Sequence, residues 1–128
     1  LNITRENPYV LNYLAYSWLE RKYKIELSME MLKEAYDLRK NDPYITDSLG
    51  WGYYLINDFE NAEKYLKKAV ELMPYDPIVN DHYGDILWML NRKIQARYFW
   101  NNVLNLDETD DEMKIDVKKK IIYGIEKT

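Results

Sequence analysis

Residues 42–76 read DPYITDSLGWGYYLINDFENAEKYLKKAVELMPYD, and this stretch decides the fold. Its landmarks are Pro43, Leu49, Gly50, Tyr53, Ala62, Leu66, Ala69 and Pro74. Thirty-four residues on stand Pro77, Tyr83, Gly84, Leu87, Ala96, Trp100, Val103 and Glu108. Going back, Ser28, Leu32 and Ala35 keep the spacing of 34, and Pro8, Leu14, Ala15 and Trp18 stand at 35. A fixed period of this length marks a stacked array of identical supersecondary units. Each unit buries its apolar face against its neighbours, and the stack offers an extended surface.

Within the period, helix punctuation is clear. Asn7-Pro8, Asp42-Pro43 and Asp76-Pro77 each join an N-cap side chain to a proline. The cap accepts from free N–H groups, and proline at the first helical position loses no hydrogen bond. The expected helices run over 8–21, 27–40, 43–56, 59–72, 77–90 and 93–106. The links inside each pair are short and polar, as in Asn57-Asp58, so paired helices lie antiparallel. Ala15, Gly50 and Gly84 recur in first helices, and Ser28, Ala62 and Ala96 in second helices. A helical glycine costs about 1 kcal/mol against alanine, and it is kept where another helix comes close. The last segment has a different pattern. Thr109-x-x-Glu112 reads as a capping box, and Met113, Val117, Ile121 and Ile125 make an apolar stripe. That stripe predicts an amphipathic helix covering the end of the stack.

Composition sets outer limits. The 128 residues are 47% hydrophobic and 31% charged, which is a globular and not a disordered balance. A net charge of −4 argues against general nucleic-acid binding. There is no cysteine, hence no disulfide, thiol nucleophile or thiolate metal site. Residues 1–7 align with the tail of a repeat, since Ile3, Leu38, Leu72 and Leu106 are spaced by 35, 34 and 34. They read as the last turn of an earlier helix, and the chain as the C-terminal part of a longer array. The expected organisation is a repeat tail over 1–7, repeats over 8–42, 43–76 and 77–108, and a cap over 109–128.

Thr46-x-x-Leu49-Gly50-x-x-Tyr53, Ala62-x-x-x-Leu66, Ala69 and Pro74 resemble the tetratricopeptide repeat (TPR), a helix–turn–helix unit. The third repeat departs with Tyr83 before the glycine and Leu87 for the tyrosine. The first has Ala15 for glycine and one inserted residue. The resemblance implies an all-α, right-handed solenoid ending in a capping helix. It implies a non-catalytic protein-binding module with no cofactor, acting as an adaptor or scaffold. The strings Asp47-Ser48-Leu49-Gly50-Trp51 and Asn80-Asp81-His82-Tyr83-Gly84-Asp85 further resemble the C-terminal repeats of long bacterial TPR proteins, notably alphaproteobacterial ones. Some of those are exported or lipid-anchored, and some act as adaptors, for example to a processing protease. Cytoplasm and periplasm or cell envelope both stay open. So do two other roles: self-assembly of the repeats, or a regulatory part of a larger envelope or protease-adaptor assembly.

The resemblance also implies that first helices line a concave groove. At about 100° per residue, Ile45, Leu49, Tyr53 and Ile56 turn inward, and the opposite face is exposed. That face carries Tyr9, Asn12 and Tyr16, then Tyr44, Asp47, Trp51 and Tyr54, then Asp81, Asp85 and Trp88. Aromatic rings supply contact area at low entropy cost. The aspartates, with no lysine or arginine on the strip, favour a protein or peptide segment with apolar and basic side chains. The other reading is that these rings pack between repeats. The carboxylate clamp by which some family members hold acidic tails has only Asn12 as a counterpart. His82, the single histidine, lies near Asp81 and Asp85 but lacks the company a catalytic or metal site needs, and reads as a hydrogen-bonded structural residue. Asp107 to Glu112 lacks the ligand spacing and the glycine of a calcium loop.

Overall fold

A computed structural model of the chain describes residues 7–126. Among them are seven α-helices and no strand. In order they are α1 (Pro8–Glu20), α2 (Ile25–Leu38), α3 (Pro43–Leu55), α4 (Phe59–Leu72), α5 (Pro77–Met89), α6 (Lys93–Asn105) and α7 (Asp111–Tyr123). The reading of 1–7 as a repeat tail falls, apart from Asn7, outside the described residues.

The start signals work as chemistry requires. Asn7 Oδ1 accepts from Tyr9 N at 2.9 Å, Asp42 Oδ1 from Tyr44 N at 3.0 Å and Asp76 Oδ2 from Val79 N at 2.9 Å. The last helix corrects the sequence reading: its N-cap is Asp110, which accepts from Met113 N at 2.8 Å. Thr109 is instead buried and donates to Val103 O at 2.6 Å, tying the α6–α7 connection down. Asp110 stands 34 residues after Asp76, so α7 begins where the first helix of another pair begins.

Inside each pair the links turn through left-handed residues. Asn57 has φ 66° and Asn91 φ 64°, conformations that asparagine tolerates. The α1–α2 link holds the inserted residue and uses two lysines, Lys22 at φ 55° and Lys24 at φ 45°. α2 begins at Ile25, two residues ahead of expectation, 17 residues after Pro8 where the other pairs have 16. Replacing Lys22 by Asn, the residue of the other two links, is expected to raise the unfolding free energy by about 0.5 kcal/mol. Urea melts check the sign, and a fall would show that the lysine makes a compensating contact.

Small residues mark where helices meet. A Cβ on Gly50 would stand 2.7 Å from Leu66 Cγ, and one on Gly84 2.5 Å from Trp100 Cδ1. The core has two parts. Leu11, Ala15, Leu32, Ala35, Ile45 and Leu49 fill α1 to α3, and Leu66, Val79, Leu87, Trp100, Val103 and Val117 fill α4 to α7. Ile56, expected inward, is exposed because α3 ends at Leu55 and Ile56 is its C-cap. First helices pack side by side, α1 on α3 and α3 on α5, and α7 lies against α6. Second helices are bridged by long side chains, as where Lys68 Nζ donates to Tyr36 Oη at 2.6 Å. The α1, α3, α5 side is therefore the tighter, inner arc. Among the described residues no helix is long and apolar enough to cross a membrane.

Candidate functional site

Along the inner arc, the expected strip divides into an open part and a closed part. On α1, Tyr9 is exposed and Asn12 and Tyr16 are half-buried. On α3, Tyr44 is exposed, Trp51 and Tyr54 are half-buried, and Asp47 is only 6% exposed. On α5, Asp81 is half-buried, whereas Asp85 and Trp88 are buried.

The aspartates that looked free from the sequence are engaged. Asp47 Oδ2 lies 2.8 Å from His82 Nδ1, which joins α3 to α5. The His82 ring stacks on Trp51 at 3.9 Å between centroids and 13° between planes. Trp51 also stacks with Tyr54 at 4.4 Å and 8°. Burial alone would lower the histidine pKa. The Asp47 carboxylate, through charge and hydrogen bond, outweighs burial, and Asp85 and Asp81 add to it, so His82 is held above its ordinary 6.5. A raised pKa stabilises the fold fully below pH 6.5, and that contribution is lost as pH rises through the folded value. Asp47→Asn is expected to bring the His82 pKa down toward or below 6.5. A proton NMR titration of the single histidine reads it directly; an unmoved pKa would remove Asp47 as the cause.

Asp81 and Asp85 have a partner that the strip itself lacks. Lys120 reaches over from α7, its Nζ 2.5 Å from Asp81 Oδ1 and 2.7 Å from Asp85 Oδ1. Trp100 Nε1 donates to the same Asp85 oxygen at 3.0 Å. Burial, reinforced by Asp81, pushes the Asp85 carboxyl up to about 6, against the pull of Lys120. Burial disfavours the Lys120 charge, but the two carboxylates prevail and raise its pKa.

Trp88 is a further correction. It is not on an open face, because the chain after α7 folds over it. Its Nε1 donates to Ile125 O at 3.0 Å. Gly124 permits this turn: its φ is +73°, and a Cβ there would lie 2.0 Å from Trp88. Arg97 Nε also donates to Ile121 O at 2.9 Å, fixing the same segment. The sequence did hold a signal for this closure. Gly52, Ile86 and Lys120 share a column at intervals of 34, and Gly52 already faces the preceding helices at Leu19, Met29 and Leu32. A lysine in that column points back at Asp81 and Asp85.

Asn12 Oδ1 and Asp47 Oδ1 are buried and accept from no other group of the protein. Burial first, then Glu20 and Asp47, push the Tyr16 hydroxyl up to about 12. The Tyr54 hydroxyl is also raised, by burial and by Asp85 and Asp81. Tyr44 stands apart from this cluster and lines a cleft with Leu72, Pro74, Tyr75 and Glu108. Among the described residues, no group of three or more His, Asp or Glu side chains is placed to hold a metal ion.

No protein-family model matches the chain. It is 34% identical over 61 residues to the TPR repeat-containing protein PA4667 of Pseudomonas aeruginosa, a match covering 48% of this chain and 10% of that protein. Solved structures sharing the fold include the following three. The Yersinia enterocolitica type III secretion translocator chaperone SycD (alternative dimer) superimposes with a TM-score of 0.77 at 16% identity, covering 93% of this chain and 89% of that one. The first TPR of Spaghetti (RPAP3), bound to the HSP90 peptide SRMEEVD, gives 0.75 at 18% identity, over 89% and 90%. TTC0263 of Thermus thermophilus gives 0.75 at 18%, over 88% and 63%. With the repeat columns and helix pairs above, these likenesses define an all-α helical-repeat solenoid. The chain has the tetratricopeptide-repeat fold, and it spans about a tenth of the length of the TPR repeat-containing protein it matches.

Proposed function

We propose that this chain is a non-catalytic interaction module that seats a segment of another protein along α1 and α3. The observation that carries the reading is the open aromatic wall of Tyr9, Tyr16, Trp51 and Tyr54 beside acids already paired within the chain. Rings of this kind dominate binding hot spots. Trp51 is pre-set by its stacks on His82 and Tyr54, so little ordering is left for a partner to impose.

The partner's chemistry follows from what the wall offers. Apolar side chains meet the rings. A basic or amide side chain suits this wall, which carries Asp47 and Asn12 and no lysine or arginine. The acidity expected from Asp81 and Asp85 is spent on Lys120, so α7 closes the third part of the strip. Spaghetti holding a peptide on this fold supports the mode of binding. Its acidic peptide is a poor guide to specificity here, because the cation beside the wall, Lys120, is engaged. His82, stacked and tied to Asp47, supports a structural and not a catalytic role.

Paired affinity capture with mass spectrometry tests the reading. One bait is the native chain and the other carries Trp51→Ala and Tyr54→Ala. A protein held by the first and absent from the folded second is the expected result. Equal capture by both baits would sink the groove and return these rings to packing.

A further inference from the structure

The inner arc does not end at α5. α7 starts at the place of a first helix, and Lys120 points back at α5 just as Gly52, in the same column, faces α1 and α2. α7 is therefore turned as α3 and α5 are. Continuing the columns of the strip by 34 residues names its inner face. Asp47 and Asp81 lead to Ile115, Trp51 and Asp85 to Lys119, and Tyr54 and Trp88 to Ile122. Ile115 is 56% exposed and Ile122 66%, and Lys119 is exposed between them.

The chemistry of the strip reverses along these rows. At α1 and α3 the rings stand beside the carboxylates Glu20 and Asp47. At α5 the acids face Lys120 and Trp88 is covered, so the middle row is closed. α7 then offers two isoleucines and an ammonium. Among the described residues, no carboxylate pairs with Lys119 or with its exposed neighbour Lys118. The acids of α7 (Asp111, Glu112 and Asp116) lie toward its start, so its second half is left positive. Lys118 also takes the column of Gly50 and Gly84, through which a second helix comes close, and a lysine leaves no room for that approach.

A strip that is acidic and aromatic at one end and basic and aliphatic at the other selects a segment of the opposite order. We infer that the segment seated along α1 and α3 continues over α7 and is bipolar: basic and apolar at the α1–α3 end, acidic and aliphatic where it meets Ile115, Lys119 and Ile122. Charge complementarity of this kind fixes which way the segment lies and penalises its reverse. Packed helices stand about 8–10 Å apart, which puts α7 about 20 Å from α3, or roughly six residues of extended chain. The inference rests on the groove proposed above and adds the second end of the partner.

Selection of peptides from a random phage-displayed library on the full chain tests it. Peptides whose binding needs Trp51 and Tyr54 are expected to carry Lys or Arg at one end and Asp or Glu at the other. For a synthetic peptide of that set, Lys119→Glu should weaken binding about fivefold at low salt and less at high salt. The same peptide with its acids changed to lysine should bind the Lys119→Glu chain better than the native one. Lys67→Glu makes the same change of net charge at an exposed position of α4 and should leave affinity unchanged. Groove-dependent peptides without an acidic end, or equal affinity for the native and Lys119→Glu chains, overturn the inference and leave the groove standing. So does an equal loss in Lys67→Glu, which would make the effect one of net charge. If no selected peptide depends on Trp51 and Tyr54, the groove fails and the inference with it.

Discussion

Trp100→Ala is expected to lower the unfolding free energy by about 3–5 kcal/mol, the largest stability effect of any single side chain here. Trp100 is fully buried and ties three elements together. Its Nε1 donates to Asp85 on α5, its ring tilts against Trp88 at 5.6 Å, and Lys120 of α7 sits 5.5 Å from its centroid. Removing it leaves a cavity in the second core cluster and deprives buried Asp85 of one donor. Gly84 lies directly under the ring, so Gly84→Ala alone should cost about 1–3 kcal/mol through overpacking. In the Trp100→Ala background the added methyl enters the cavity and most of that cost should vanish. Urea unfolding of the two single variants and the double variant measures the coupling. Strict additivity would mean that the close approach of Gly84 and Trp100 carries no strain.

Trp51→Ala combined with Tyr54→Ala is expected to weaken partner binding by more than about 30-fold, or 2 kcal/mol, with the fold retained. Both rings are half-buried and stacked on each other, so the pair acts as one flat platform. Trp88→Phe makes the contrast. Trp88 is buried beneath Ile125, and the change removes its bond to that carbonyl and part of its ring packing on Gly124 and Trp100, so it should cost about 2 kcal/mol of stability and leave partner affinity unchanged. Calorimetric titration of the captured partner against the three chains separates the cases. Binding lost in Trp88→Phe and kept in the double variant would place the contact surface at the C-terminal end instead.

Helix positions were legible because they depend on local chemistry. Asn7, Asp42 and Asp76 cap by bonding to nitrogens two or three residues on, which any folded context permits. Thr109 misled for a related reason. Thr-x-x-Glu matches a capping box by spacing, but the tie of Thr109 to Val103 O crosses from one element to another and leaves Asp110 as the cap. On α1 and α3 helical rotation alone leaves Tyr9 and Tyr44 exposed and Trp51 and Tyr54 half-exposed, but it did not foresee that Asp47 of the same strip is buried. The strip's continuation on α5 was not legible, because α7 supplies Lys120 from 35 residues beyond Asp85.

By itself, then, the sequence determined the helices, their pairing and the stack, because caps, short links and a period of 34 act within one repeat or between neighbours. Only the tertiary structure decided which acids are free. A buried carboxylate must find a partner wherever the fold brings one. Asp47 found His82 across to α5, Asp81 and Asp85 found Lys120 from α7, and Asp47 Oδ1 found none. Those pairings follow from the distances between packed helices, which no residue spacing states.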